Sequence, residues 1–190
     1  TDIVAVKNPI FSFEKLPGVE VGLGPEMKST GEVLGIGNNL SQALRKSFLA
    51  AGIRPQKGGV LLTVADADKP GLEFMARKFE ELGYTIYATI GTAEYLEKEG
   101  VRCKLLKKLS RSSELAERIA DGTLTLIIST PSHTGGDQTH RDGFNIRRAA
   151  VENGVPCMTS MDTAAALLEC LAHDTEALTP IALQDLNFAK

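Results

Sequence analysis

The chain has 190 residues, 43% of them hydrophobic, and 21 basic against 24 acidic side chains leave a formal net charge of −3. A chain of this length buries one good core and at most a small appendage. Its interspersed, nearly balanced charges exclude a non-specific surface for nucleic acid or acidic membrane, so an anionic ligand needs a local pocket. Cys103, Cys157 and Cys170 lie far apart without C-x-x-C spacing; this argues against a zinc site or a disulfide framework and fits a reducing, cytoplasmic setting. No apolar stretch approaches a bilayer span, and no basic segment followed by an apolar one opens the chain. The sequence starts with "TDIVAVKNP", without methionine and in strand-like spacing, which predicts a fragment of a longer protein or a processed chain.

The first 37 residues are rich in Gly and Pro. Short extended runs are predicted at Ile3–Val6, Ile10–Phe13 and Gly31–Ile36, separated by turns such as Leu16-Pro17-Gly18, too few and too short for a core of their own. "NNLSQALRKSFLAAG" follows as a helix, with Leu40, Ala43, Leu44, Ser47 and Phe48 on one face, an asparagine cap and Gly52 as its stop. "IRPQKGG" reads as a linker.

From residue 60 strand and helix alternate. "VLLTV" (60–64), "YTIYAT" (84–89), "RCKLLK" (102–107), "LTLIIST" (124–130) and "VPCMTS" (155–160) read as strands. Helices are expected over 69–83, over Ala93–Glu99, across "SSELAERIADG", over Phe144–Asn153 and over Thr163–Leu171. Five such units predict an α/β fold: a five-stranded parallel sheet with helices on both faces, because parallel neighbours require crossovers.

In such a sheet ligands bind beyond the carboxyl ends of the strands, where the strand order reverses. Those ends read Thr63 to Asp66 and on to Lys69, then Thr89-Ile90-Gly91-Thr92, then Lys107-Lys108, then Ser129-Thr130-Pro131-Ser132. Taken singly, Thr92 is a helix cap, Gly91 relieves a turn and the lysines are a solvated face. Four successive ends carrying hydroxyls or ammonium groups favour a phosphate pocket, in which helix N-terminal amides add oriented donors. Arg147 and Arg148 read as structural, one packed along its helix and the other meeting solvent or another domain. The cysteines read as small core residues.

"EKLPGVEVGLGPEMKSTGEVLGIG" (14–37) resembles the closing stretch of an ATP-grasp domain in the carbamoyl phosphate synthetase large-subunit family, and "TIGTAEYLEKEGV", "LIISTPS" and "DGFNIRRAAVENGVPCMTS" resemble the methylglyoxal-synthase-like allosteric domain that ends those subunits. The resemblance covers nearly the whole chain. It implies that residues 1–45 are the tail of an ATP-grasp domain, 46–57 a helix end and linker, and 58–190 the allosteric domain. It further implies a regulatory role within a ligase that makes carbamoyl phosphate from bicarbonate, ammonia or glutamine, and two ATP, for pyrimidine and arginine synthesis. ATP and magnesium or manganese then belong to the parent subunit, with no cofactor, metal or catalytic residue in this segment. The implied partners are an anionic nucleotide effector of the UMP or IMP type, the rest of the large subunit and, indirectly, the glutaminase small subunit.

Carried over by position, Lys69, Thr89, Thr92 and Lys108 fall on the family's phosphate-binding pattern, with Gly91 contributing an amide; Ser129 and Thr130 stand where Asn-Thr is common. Asn8 occupies a position that is acidic in ornithine-responsive members. The alternative function is an independent methylglyoxal synthase acting on dihydroxyacetone phosphate. "GGDQ" (135–138) with His133 and His140 suggests it, Asp137 being the carboxylate for proton abstraction.

Overall fold

The computed structural model describes residues 3–16, 18–23, 26–132 and 137–173. The chain divides into two compact units, one formed by Thr1–Ser12, Lys28–Arg54 and Ala166–Lys190, the other by Phe13–Met27 and Pro55–Ala165.

In the first unit, β1 (Val4–Ile10) and β2 (Gly31–Gly37) form an antiparallel pair with Val4 opposite Gly37 and Ile10 opposite Gly31. The two short runs expected before residue 14 are thus one strand ending at Ile10, and Phe13–Lys15 is a 3-10 turn. Pro9 interrupts nothing, because both strands of a two-stranded sheet are edges and an edge tolerates a missing N–H. Helix α1 (Leu40–Ala50) starts where Asn39 accepts the Gln42 N–H at 2.9 Å, and Gln42 returns the bond from the Asn38 N–H at 3.2 Å. It lies directly on β2. A Cβ on Gly35 would run into the Ala43 carbonyl oxygen, and one on Gly37 would sit 2.8 Å from the Ala43 nitrogen, so the bare backbone sets how close the helix approaches.

The second unit alternates β3 (Gly59–Thr63), α2 (Leu72–Glu81), β4 (Thr85–Ala88), α3 (Ile90–Lys98), β5 (Lys104–Leu105), α4 (Glu114–Ala120), β6 (Leu124–Ser129), α5 (Asp137–Glu152), β7 (Cys157–Met158) and α6 (Met161–Ala172), the last continuing into the first unit after Ala165. All pairings are parallel, in the order β5-β4-β3-β6-β7. The α/β fold with a five-stranded parallel sheet is therefore the observed one. The chain steps outward from β3 to β4 and β5, then returns past β3 to β6 and β7, which places the reversal of strand order between β3 and β6.

Val60, Leu61 and Leu62 of β3 and Leu126, Ile127 and Ile128 of β6 are fully buried, as expected of strands covered on both faces. Leu61, Leu115, Ile119, Leu124, Ile127 and Ile146 belong to one core cluster. Three helix starts move by three residues or more. α2 begins at Leu72 because Gly71 has φ +86°, a backbone angle that belongs to no α-helix. α3 begins at Ile90, three residues before the expected start, and α5 at Asp137, well before Phe144. Among the described residues no helix is long and apolar enough to cross a membrane.

Candidate functional site

Where β3 ends, its backbone N–H groups lose their strand partners and need others. Neighbouring hydroxyls supply them. Thr92 Oγ1 accepts the Val64 N–H at 3.3 Å, Thr130 Oγ1 accepts the Ala65 N–H at 2.8 Å, and Thr89 Oγ1 donates to Thr63 Oγ1 at 3.0 Å. Thr89, Thr92, Ser129 and Thr130 are all buried. A hydroxyl has two lone pairs but one proton. Thr92 and Thr130, having received a backbone N–H, keep that proton for a second partner, and both residues line the space beyond the strand ends.

That space is a cavity of about 290 Å³. The seven residues that the resemblance picked out among the strand ends, Lys69, Thr89, Gly91, Thr92, Lys108, Ser129 and Thr130, all line it, whereas Lys107 does not. The Gly91-Thr92 pair sits in the first turn of α3, with Thr89 at the N-cap position making no side-chain capping bond. The simple capping role for Thr92 is therefore displaced: its hydroxyl accepts from Val64, just beyond β3, and the N-cap position belongs to Thr89. The turn leaves early α3 amides near the cavity, at the positive end of a nine-residue helix.

Three cations line or flank the cavity and each has a carboxylate. Lys69 Nζ lies 2.6 Å from Asp66 Oδ1, and Lys108 Nζ lies 3.8 Å from Asp142 Oδ2. The Arg147 guanidinium grips Glu20 with two parallel bonds, Nε to Oε1 at 2.9 Å and Nη2 to Oε2 at 2.8 Å. Hydrogen bonding to the Lys69 ammonium, followed by its charge, holds the Asp66 carboxyl below its ordinary value. For Glu20, burial pushes the carboxyl up, but the bonds from Arg147 and the Gly22 N–H, together with the Arg147 charge, outweigh it and leave a net lowering.

The reading of the two arginines needs correction. Neither meets solvent: Arg147 is 4% exposed and Arg148 6%. Arg148 donates to the Phe13 and Leu16 carbonyls, both at 3.1 Å, and to Glu152 at 2.8 Å, which is a structural role. Arg147 lines the cavity along with Glu20, Thr63 and His140. Sequence reasoning set Arg147 aside as structural; it comes from the middle of α5 and not from a strand end. The one available signal was a doubled arginine at adjacent positions of a helix, which must point in different directions.

Among the described residues no group of three or more His, Cys, Asp or Glu could hold a metal ion. The thiols are poor nucleophiles: burial pushes Cys157 up to about 12 and Cys170 up to about 11, and burial followed by Glu97 and Glu80 raises Cys103. His133 and the Asp137 side chain of the proton-abstraction alternative lie outside the described residues.

Residues 71–159 match the MGS-like domain family. Across 182 residues, 95% of this chain, the sequence is 48% identical to the carbamoyl phosphate synthase large chain of Agathobacter rectalis. Identity is again 48% to that of Lachnoclostridium phytofermentans, over 90% of the chain, and 46% to that of Clostridium botulinum (strain Langeland), over 88%. The chain is homologous to the C-terminal region of the carbamoyl phosphate synthase large chain. It spans 17% of the A. rectalis large chain and 16% of the other two. A methylglyoxal synthase of known structure, from Elizabethkingia anophelis, aligns with a TM-score of 0.46 at 19% identity, covering 60% of this chain and 78% of that one. The high-identity relatives are thus carbamoyl phosphate synthase large chains, and they do not favour an independent methylglyoxal synthase.

Proposed function

We propose that the parallel-sheet unit is the allosteric module of a carbamoyl phosphate synthase large chain and that its cavity binds a phosphorylated nucleotide effector of the UMP or IMP type without transforming it. The observation that carries this reading is the convergence of Lys69, Thr89, Gly91, Thr92, Lys108, Ser129 and Thr130 on one cavity at the reversal of strand order. The lysines supply charge, and the hydroxyls of Thr92 and Thr130 supply donors fixed by the backbone bonds they accept. Ser129 in place of the common Asn shortens the reach toward a ribose or base.

In this proposal residues 1–45 close an ATP-grasp domain, 46–57 link, and 58–190 form the regulatory domain. ATP with magnesium or manganese, and the making of carbamoyl phosphate from bicarbonate and ammonia or glutamine, belong to the parent enzyme in the cytoplasm. The glutaminase small subunit is engaged only through the rest of the large chain. An effector that binds two states of the enzyme unequally shifts their balance, typically by roughly 5–150-fold in affinity.

Isothermal titration of the chain with UMP and with IMP tests the proposal. One of them is expected to bind saturably, with affinity falling roughly tenfold or more in Lys108→Ala and Thr92→Val as a charge-assisted contact is lost. Absence of heat from both nucleotides, or undiminished binding in both variants, would contradict it.

A further inference from the structure

Among the described residues, the lysines and the arginine that line the cavity each pair with a carboxylate. Lys69 is matched by Asp66, Lys108 by Asp142 and Arg147 by Glu20. A dianionic phosphate therefore competes with resident carboxylates for these cations, and gains when one of the carboxylates withdraws. The three carboxylates differ in their freedom to do so. The Asp142 side chain is 5% exposed and fixed on α5, so its withdrawal would carry a charge through packed structure. Asp66 is 87% exposed in a short turn of the same unit and can swing into water with little consequence elsewhere. Glu20 is 39% exposed and sits on residues 13–27, within the connection that runs in sequence from β1 to β2.

Arg147 itself is buried, and a buried guanidinium does not tolerate losing its anion unreplaced. Its partner can be exchanged but not simply removed. We infer that Glu20 is a built-in occupant of the anion site: a ligand phosphate takes over the Arg147 guanidinium, displaces the Glu20 carboxylate into solvent, and thereby loosens the segment that joins β1 to β2. This rests on the effector reading above and adds to it a competing internal anion and the way its release is communicated.

The anchoring of that segment shows where the loosening stops. Arg148 holds the Phe13 and Leu16 carbonyls through bonds that involve no cavity group, so residues 13–16 stay attached. Beyond them a charged tie runs from Glu20 to Arg147, with the Gly22 N–H bonded to the same carboxylate at 2.8 Å, and Val21 adds apolar anchoring as a buried side chain. Exchange of the partner removes the charged tie and so loosens 18–23, with Val21 still buried, and spares 13–16.

The test uses Glu20→Gln, which keeps the size and a carbonyl for Arg147 but removes the charge, and Glu20→Ala, which removes both. UMP, IMP and unphosphorylated uridine are titrated into the chain and both variants, and backbone hydrogen exchange is followed with and without saturating UMP. Loss of the competitor is expected to raise nucleotide affinity roughly tenfold, within the range typical of coupled sites, to leave uridine unaffected, and to make amides 18–23 exchange faster even without ligand. In the unmodified chain UMP is expected to speed exchange at 18–23 and not at 13–16. Equal or weaker nucleotide binding by the variants, an equal gain for uridine, or unchanged exchange at 18–23 overturns the displacement while leaving the effector reading intact. If no form of the chain binds either nucleotide, both fall.

Discussion

The β1–β2 sheet and the five-stranded sheet meet the same demand, covering a sheet, in opposite ways. Along β1 half-buried and exposed residues alternate strictly, and the pair depends on glycines that let α1 lie against bare backbone. β3 and β6 are buried nearly throughout, and apart from half-buried Thr125 their polar side chains are Thr63 and Ser129 at the carboxyl ends. The first unit thus concentrates its sensitivity in backbone contact. The second concentrates it in hydroxyls and ion pairs that do double duty, closing strand ends and lining a cavity, so one substitution there affects both stability and binding.

Two glycine substitutions sharpen this contrast most. Gly35→Ala forces a Cβ into the α1 backbone and is expected to destabilise by about 3 kcal/mol, the upper end for overpacking, read from a shifted denaturation midpoint. Gly91→Ala places a Cβ only 3.7 Å from Lys69 Nζ, an ordinary contact. Stability should move by less than about 0.5 kcal/mol, since alanine suits a helix first turn, while nucleotide affinity falls. Equal stability losses for the two would erase the contrast.

Next in size is Thr130→Val, which removes the acceptor of the Ala65 N–H. Leaving a part-buried donor unpaired costs about 1–3 kcal/mol, and slower-exchanging neighbours should reveal the opening at Ala65 first; an unchanged midpoint would mean water replaces the hydroxyl fully.

A smaller effect concerns pH. The Glu20 carboxyl is held below its usual 4.5 in the folded chain. Its contribution is therefore complete above about pH 4.5 and lost as pH falls through the lower folded value. Thermal midpoints measured from pH 6 down to 3 should decline less steeply in Glu20→Gln than in the parent. Parallel declines would show that the pair adds nothing to acid sensitivity. The smallest change is expected from the thiols. With Cys157 and Cys170 raised to about 12 and 11, a disulfide reagent at pH 8 should modify the native chain far more slowly than the unfolded one; rapid native labelling would show an opening at β7 or α6.

The parallel sheet was legible because buried apolar runs alternate with helical spacing; its strand ends gave a set of candidates, and the family resemblance narrowed them to seven that line the cavity. Helix starts were less legible. "IGTAEY" reads as loop because Gly and Thr are poor helix interiors, yet both are acceptable in a first turn, where α3 uses them. The stretch before Phe144 is polar enough to read as loop, and α5 nevertheless extends back to Asp137. Glu20 and Arg147 were hidden for a different reason. They are 127 residues apart, and no local pattern reports a pair made by the folding of one segment onto another.

The most direct test of the whole account is a titration of the isotopically labelled chain with UMP and IMP followed by amide resonances. Val64, Ala65, Gly91, Thr92 and Thr130 are expected to shift together and saturate at one nucleotide per chain. Saturable shifts confined to residues outside these strand ends, or no saturable shift with either nucleotide, would contradict a phosphate site at the outlet of the sheet.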